Sequence, residues 1–101
     1  MINASEKELE IIKNIIKKYL PNCEVRVFGS RITKKFKKFS DIDMALVSPN
    51  KIDTLALAHI KLDFEDSDLP YRVDILDWNT ISPEFKKVIE KKYEVLNLML
   101  H

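Results

Sequence analysis

Hydrophobic residues near the start of the chain recur three and four positions apart. Leu9, Ile12, Ile16 and the pair Tyr19/Leu20 form one stripe, which Ile11 and Ile15 widen. That period predicts an amphipathic helix. Ser5 stands three residues before Glu8, the spacing of a capping box, and Pro21-Asn22 closes the segment. The period then changes to two. Glu24 to Phe28 reads as a strand with Val25 and Val27 on one face and Arg26 and Phe28 on the other. Asp41 to Val47 reads as a second strand, with Ile42, Met44 and Leu46 facing one way and Asp41, Asp43, Ala45 and Val47 the other. Ile52 to Phe64 returns to helical spacing, with Ile52, Leu55, Ala56, His59 and Leu62 roughly aligned. Tyr71 to Trp78 predicts a third strand. Ser82-Pro83 is a strong helix start, and Phe85, Val88/Ile89, Tyr93, Leu96 and Met99/Leu100 extend that helix to the end of the chain. The predicted order is α-β-β-α-β-α, an α/β (α+β) layer with helices on a short sheet.

A chain of 101 residues, 46% hydrophobic and 33% charged, fits one small soluble domain over residues 1–101. Its net charge of +1 excludes a global pull toward nucleic acid or membrane. The lone cysteine, Cys23, permits no internal disulfide and has no partner at metal-ligand spacing, which predicts an inert thiol and a cytoplasmic setting. No apolar signal core opens the chain and no apolar run approaches membrane-spanning length.

Candidate chemistry concentrates between residues 27 and 44. Gly29, the only glycine, ends the first strand and precedes Ser30. Without a Cβ it permits a tight turn and close approach of a phosphate. Ser30 then opens a short helical turn whose free N–H groups face the anion, and Arg31 is placed to clamp a phosphate oxygen or to pair with a site aspartate. Asp41 and Asp43, two apart on a strand, project from one face and offer the hard oxygen pair that Mg²⁺ takes alongside substrate phosphates. Asp74, flanked by Val73 and Ile75, is the candidate third carboxylate: a metal ligand and the acceptor of the proton from an attacking hydroxyl. Asp77 falls on the opposite face from Asp74 and ranks lower.

The arrangement hydrophobic-Gly29-Ser30, then ten residues, then Asp41-Ile42-Asp43, followed by a lone strand aspartate, resembles the nucleotidyltransferase fold of DNA polymerase β and kanamycin nucleotidyltransferase. The small size, the segment Ser67 to Trp78 and the closing region from Ile81 to Leu96 resemble the minimal nucleotidyltransferases of prokaryotes, so the likeness covers nearly the whole chain. The resemblance implies a short mixed sheet with helices packed against it. It implies that Gly29 and Ser30 bind a triphosphate, that Asp41 and Asp43 bind Mg²⁺ (two ions), and that Asp74 is the third catalytic carboxylate. It further implies ATP as substrate and a HEPN-type helical protein, encoded nearby, as partner. In such pairs, of the type VII toxin–antitoxin kind, AMP is transferred onto a tyrosine of the toxin. Relatives often carry small residues after the serine, whereas this chain has Thr33-Lys34-Lys35-Phe36-Lys37-Lys38-Phe39.

Other readings stay open at this point. The chain fits the catalytic subunit of a two-part enzyme acting on a small molecule, or a module that neutralises its partner by contact alone. Lys34, Lys35, Lys37 and Lys38, interleaved with Phe36 and Phe39, suit a solvated loop, a partner surface or a nucleic-acid stripe. Exposed phenylalanines on so small a domain imply a hetero-oligomer or homodimer. His59 reads as a core or boundary histidine. Tyr93 reads as a core residue, or, if exposed, as a self-modification acceptor.

Overall fold

The structure, a computed structural model, describes residues 1–99. Helix α1 spans Glu6–Tyr19 and starts where the capping box places it. The Glu8 amide donates to the Ser5 hydroxyl at 3.1 Å and the Ser5 amide donates to the Glu8 carboxylate at 3.0 Å. The strand β1 is Glu24–Phe28, β2 is Ile42–Val47 and β3 is Val73–Asp77. Helix α2, Thr54–Glu65, begins on an Asp53 side chain that accepts from the Ala56 amide. Helix α3 is Pro83–Lys91, with Ser82 as its N-cap and proline in its first turn. A short strand β4, Glu94–Leu96, completes the chain's regular structure among the described residues.

The sheet is mixed, in the order β3-β2-β1-β4. β1 runs antiparallel to both β2 and β4, and β2 runs parallel to β3. A parallel pair needs a crossover, and α2 supplies it. Val25, Val27, Ile42, Met44 and Leu46 are fully buried beneath Ile12 and Ile16 of α1 and Ile60 of α2. Each such side chain contributes about 1.5–3 kcal/mol by leaving water, so this layer carries the fold.

Three expectations are corrected. The helix expected to run from Ser82-Pro83 to the end stops at Lys91, and Tyr93 and Leu96 do not continue its apolar stripe. Glu94–Leu96 instead pairs with β1, Val25 opposite Leu96 and Val27 opposite Glu94. The open edge of β1 offers ladder hydrogen bonds that outweigh a helical pattern carried by only a few residues. Leu100, placed in that helix by its spacing, lies outside the described residues. The face predicted for α2 is rotated: Leu55 and Leu62 are 65% and 53% exposed, while Ile60 and Phe64 are buried. This helix carries apolar residues all round, so periodicity alone cannot select its inner face. His59 is exposed and stacks on Tyr19 at 6.1 Å between ring centroids.

The second face of the sheet is also partly covered. Phe85 of α3 meets Phe28 edge-on at 6.0 Å, and the Arg26 guanidinium lies 4.7 Å from Trp78 and 4.8 Å from Tyr93. Ala45, paired with Arg26, is consequently buried although it shares a face with Asp43. What stays open is the end of that face where β1 turns and β2 begins.

Candidate active site

That open end gathers the predicted residues. In the sheet register Phe28 lies opposite Asp43, and Asp43 opposite Asp74, so the turn after β1 and the two strand acids form one row. Neighbouring strands lie about 4.8 Å apart. Asp41 immediately precedes β2, and the Ile42 amide donates to the Arg72 carbonyl at 3.0 Å, tying the two strand entrances together. The acids of one strand share a face because side chains alternate.

Gly29 has φ +78°, in the left-handed region. A Cβ built on it would lie 2.5 Å from Asp43 Oδ2. The turn therefore rests directly against a site carboxylate, and only glycine gives that approach. Ser30 follows inside a short 3₁₀ turn, Gly29–Ile32, and is half-buried.

Arg31 does something different from the clamp or aspartate pairing its sequence position suggests. It is 3% exposed. Its guanidinium donates to the carbonyl oxygens of Ser40 (3.0 and 2.9 Å), Asn3 (2.8 Å) and Lys38 (2.9 Å), and its plane sits 3.8 Å from the Tyr71 ring centroid. A buried guanidinium must be satisfied at nearly every donor, and here loop carbonyls satisfy it. Arg31 thus ties the turn after β1 to Ser40, the residue before Asp41. It positions the acids.

Arg72 is the side chain that motif reading missed. Its Nη2 donates to Asp41 Oδ2 at 2.8 Å and reaches Asp74 Oδ2 at 3.5 Å, with Nε 3.4 Å from Asp74 Oδ1. The signal was present: Arg72 and Asp74, two apart on a strand, share a face. Asp43, opposite Asp74 in the register, feels all three of these charges. Burial, then the neighbouring Asp74 and Asp41, holds its carboxyl above the ordinary range, and Arg72 offsets part of that. The three acids together make a site of negative potential that a cation relieves.

Asp77 is buried and structural: it accepts from the Ile52 amide at 2.8 Å and the Asn79 amide at 3.0 Å. Cys23 is buried, and burial pushes its thiol up to about 11. Lys34, Lys35, Lys37 and Lys38 are exposed, with Phe39 65% exposed beneath Lys38 and Phe36 stacked near Arg31. Tyr93 is half-buried under Arg26.

Among the described residues no three His, Cys, Asp or Glu side chains converge tightly enough to hold an ion unaided. A site of two carboxylates completed by substrate phosphate is the arrangement Mg²⁺ ordinarily adopts. The hard-oxygen donor set, the two further carboxylates close to Asp43 and the glycine cradle against its carboxylate fit that arrangement. No helix among the described residues is long and apolar enough to cross a membrane.

Residues 10–97 match the family described as polymerase beta nucleotidyltransferase. Over 95 residues, covering 94% of this chain and 83% of the relative, the chain is 43% identical to a probable protein adenylyltransferase, MntA, of Haemophilus influenzae. Among solved structures, a toxin–antitoxin with AMP-PNP superposes with a TM-score of 0.74 at 20% identity, covering 88% of this chain and 72% of the other. A tri-AMPylated Shewanella oneidensis HEPN toxin in complex with its MNT antitoxin gives a TM-score of 0.64 at 19% identity, covering 88% and 71%. These structural likenesses share the fold.

Proposed function

The chain belongs to the polymerase β nucleotidyltransferase family, and we propose that it transfers AMP from ATP onto a tyrosine of a HEPN-type partner, as the antitoxin of that pair. The observation that carries this reading is the contact between the Gly29 turn and the Asp43 carboxylate in a row that ends at Asp74. A triphosphate lying along the row meets the turn at one end and carboxylates at the other. Phosphoryl chemistry needs little beyond such positioning and charge neutralisation. Gly29 lets the backbone approach the phosphates, and the Ser30 hydroxyl supplies a donor. Asp41 and Asp43 would hold Mg²⁺, which when bound neutralises the triphosphate and the charge that develops on it. Asp74 takes the proton from the acceptor hydroxyl as its oxygen attacks the α-phosphorus and pyrophosphate leaves. Arg72 acts as a resident counter-ion to the acids before nucleotide arrives.

The relative at 43% identity supports adenylyl transfer to protein, and the toxin–antitoxin complexes motivate the partner. The test is mass spectrometry of the HEPN-type partner incubated with this chain, ATP and Mg²⁺, with Asp41→Ala as control. A gain of one or more AMP units on a tyrosine, absent in the control, is the expected result. Neutralisation of the partner by Asp41→Ala with no mass gain would replace this reading with contact inhibition.

A further inference from the structure

We propose that Tyr71 and Asn3 are positioning residues for the transfer: between them they lock Arg31, and through Arg31 they fix the spacing of the turn after β1 from Asp41. The proposal rests on the transfer reaction above. Arg31 is the one buried cation among the described residues. Its Nε and Nη2 hold the Ser40 carbonyl, one residue before Asp41, while its backbone continues from Ser30. A guanidinium on a long, rotatable stem holds its neighbours in place only if it is itself held. Two residues far apart in the sequence do this. Asn3 brackets the turn. Its amide donates to the Arg31 carbonyl at 2.7 Å, its carbonyl accepts from Arg31 Nη1 at 2.8 Å, and its Nδ2 donates to the Thr33 carbonyl at 2.8 Å. The same residue therefore holds Arg31 by backbone and by side chain.

Tyr71 fixes the plane of the guanidinium. Arg31 Cζ lies 3.8 Å from the centroid of its ring, the stacked contact that a planar cation makes with an aromatic face. The ring is anchored at both ends. Its hydroxyl donates at 3.1 Å to Glu8 Oε1, the oxygen that also accepts from the Ser5 amide in the capping box of α1. Burial, then the charge of Glu8, pushes the phenol up to about 12, so at neutral pH it keeps the proton it donates. The backbone of Tyr71 leads straight into Arg72, whose carbonyl accepts from the Ile42 amide. Tyr71 thus joins α1, the entrance of β3 and the buried guanidinium. With the ring gone, Arg31 can tilt, and the segment Lys38 to Ser40 that it holds moves with it. Such chemistry loses about 10²-fold for a misplacement of about 1 Å.

The experiment compares Tyr71→Phe, Tyr71→Leu and Asn3→Ala with the wild type and with Ile16→Val, a fully buried core change that serves as the stability control. AMP transfer to the HEPN-type partner gives kcat and KM for ATP, calorimetry gives Mn²⁺ and ATP affinity, and circular dichroism gives the melting temperature. Tyr71→Leu is expected to lower kcat at least ~10-fold and to weaken Mn²⁺ binding, because the acids lose their spacing. Tyr71→Phe keeps the stacked ring and is expected to restore kcat to within about threefold of wild type. Asn3→Ala frees the turn rather than the acids, so it is expected to raise KM for ATP by roughly tenfold, the order of one lost hydrogen bond, with kcat changed less. Ile16→Val is expected to melt lower and to keep kcat, KM and Mn²⁺ affinity. Wild-type kcat and Mn²⁺ affinity in Tyr71→Leu, or losses in Ile16→Val that match its fall in melting temperature, overturn the proposal. If Tyr71→Leu does not fold, an unchanged KM for ATP in Asn3→Ala overturns it alone. If the wild type itself transfers no AMP, the proposed function falls. Calorimetry then still decides the positioning role, since wild-type ATP and Mn²⁺ affinities in the variants overturn it.

Discussion

Gly29→Ala separates the two jobs of the turn after β1, holding the backbone and leaving room for a carboxylate. At φ +78° an L residue is strained by about 1–2 kcal/mol. A domain of this size loses about 4–8 °C of melting temperature per kcal/mol, so a fall of roughly 5–15 °C is expected. The added Cβ stands 2.5 Å from Asp43 Oδ2. That oxygen ends a short side chain, so it moves aside by about 1 Å at little cost to stability, since ordinary contacts begin near 3.5 Å. Catalysis does not tolerate the same shift: a 1 Å misplacement costs about 10²-fold. Gly29→Asn is the discriminating companion. Asparagine enters the left-handed region more easily, so part of the melting temperature returns, but its Cβ meets the same oxygen and activity stays low. Thermal denaturation by circular dichroism and AMP transfer by mass spectrometry read the two effects. If the asparagine variant regains activity in step with stability, or the alanine variant keeps half the wild-type rate, the argument from the Asp43 contact is wrong.

Further outcomes follow from the neighbouring charges. Asp43 carries a carboxyl raised from its ordinary value of 3.8, first by burial and then by Asp74 and Asp41. The folded state therefore binds this proton more tightly than the unfolded state, and stability falls as pH rises through the folded pKa. Asp43→Asn, without metal, is expected to melt a few degrees above wild type at neutral pH; the gap should close as pH falls toward 3.8 in a denaturation series, and transfer should be lost. Removing the cation in Arg72→Ala should leave the melting temperature nearly unchanged and tighten Mn²⁺ binding in the absence of nucleotide by about tenfold, the effect of one charge about 5 Å from a divalent ion in water; weaker Mn²⁺ binding by calorimetry would contradict the counter-ion role. Arg31→Lys should cost about 3 kcal/mol in urea denaturation, because an ammonium cannot match the forked contacts to Ser40, Asn3 and Lys38 carbonyls. A stable Arg31→Lys protein with weakened triphosphate binding would restore the clamp reading.

The sequence alone determined α1, whose capping box and apolar period set both its ends, and β1, whose alternation matched the buried face. It placed Asp43 and Asp74 as strand acids, with Asp41 one residue ahead of β2 rather than inside it, and singled out Gly29, because alternation and the need for a positive φ are local properties of a chain. Packing decided the rest. β4 exists because β1 has a free edge, a partner that no window around Glu94 contains. The inner face of α2 was chosen by the sheet it covers, since its own residues are apolar on several sides. Arg31 looked like a phosphate ligand while its neighbours in the chain were its only known neighbours. In the fold it meets the carbonyls of Asn3, Lys38 and Ser40, which burial obliges it to satisfy. Arg72 takes its place among the acids through parallel pairing of β2 with β3, which brings Asp41 within 2.8 Å of a residue 31 positions away. Local geometry follows from neighbours in sequence, whereas charge partners and buried faces follow from neighbours in space, which only the assembled sheet supplies.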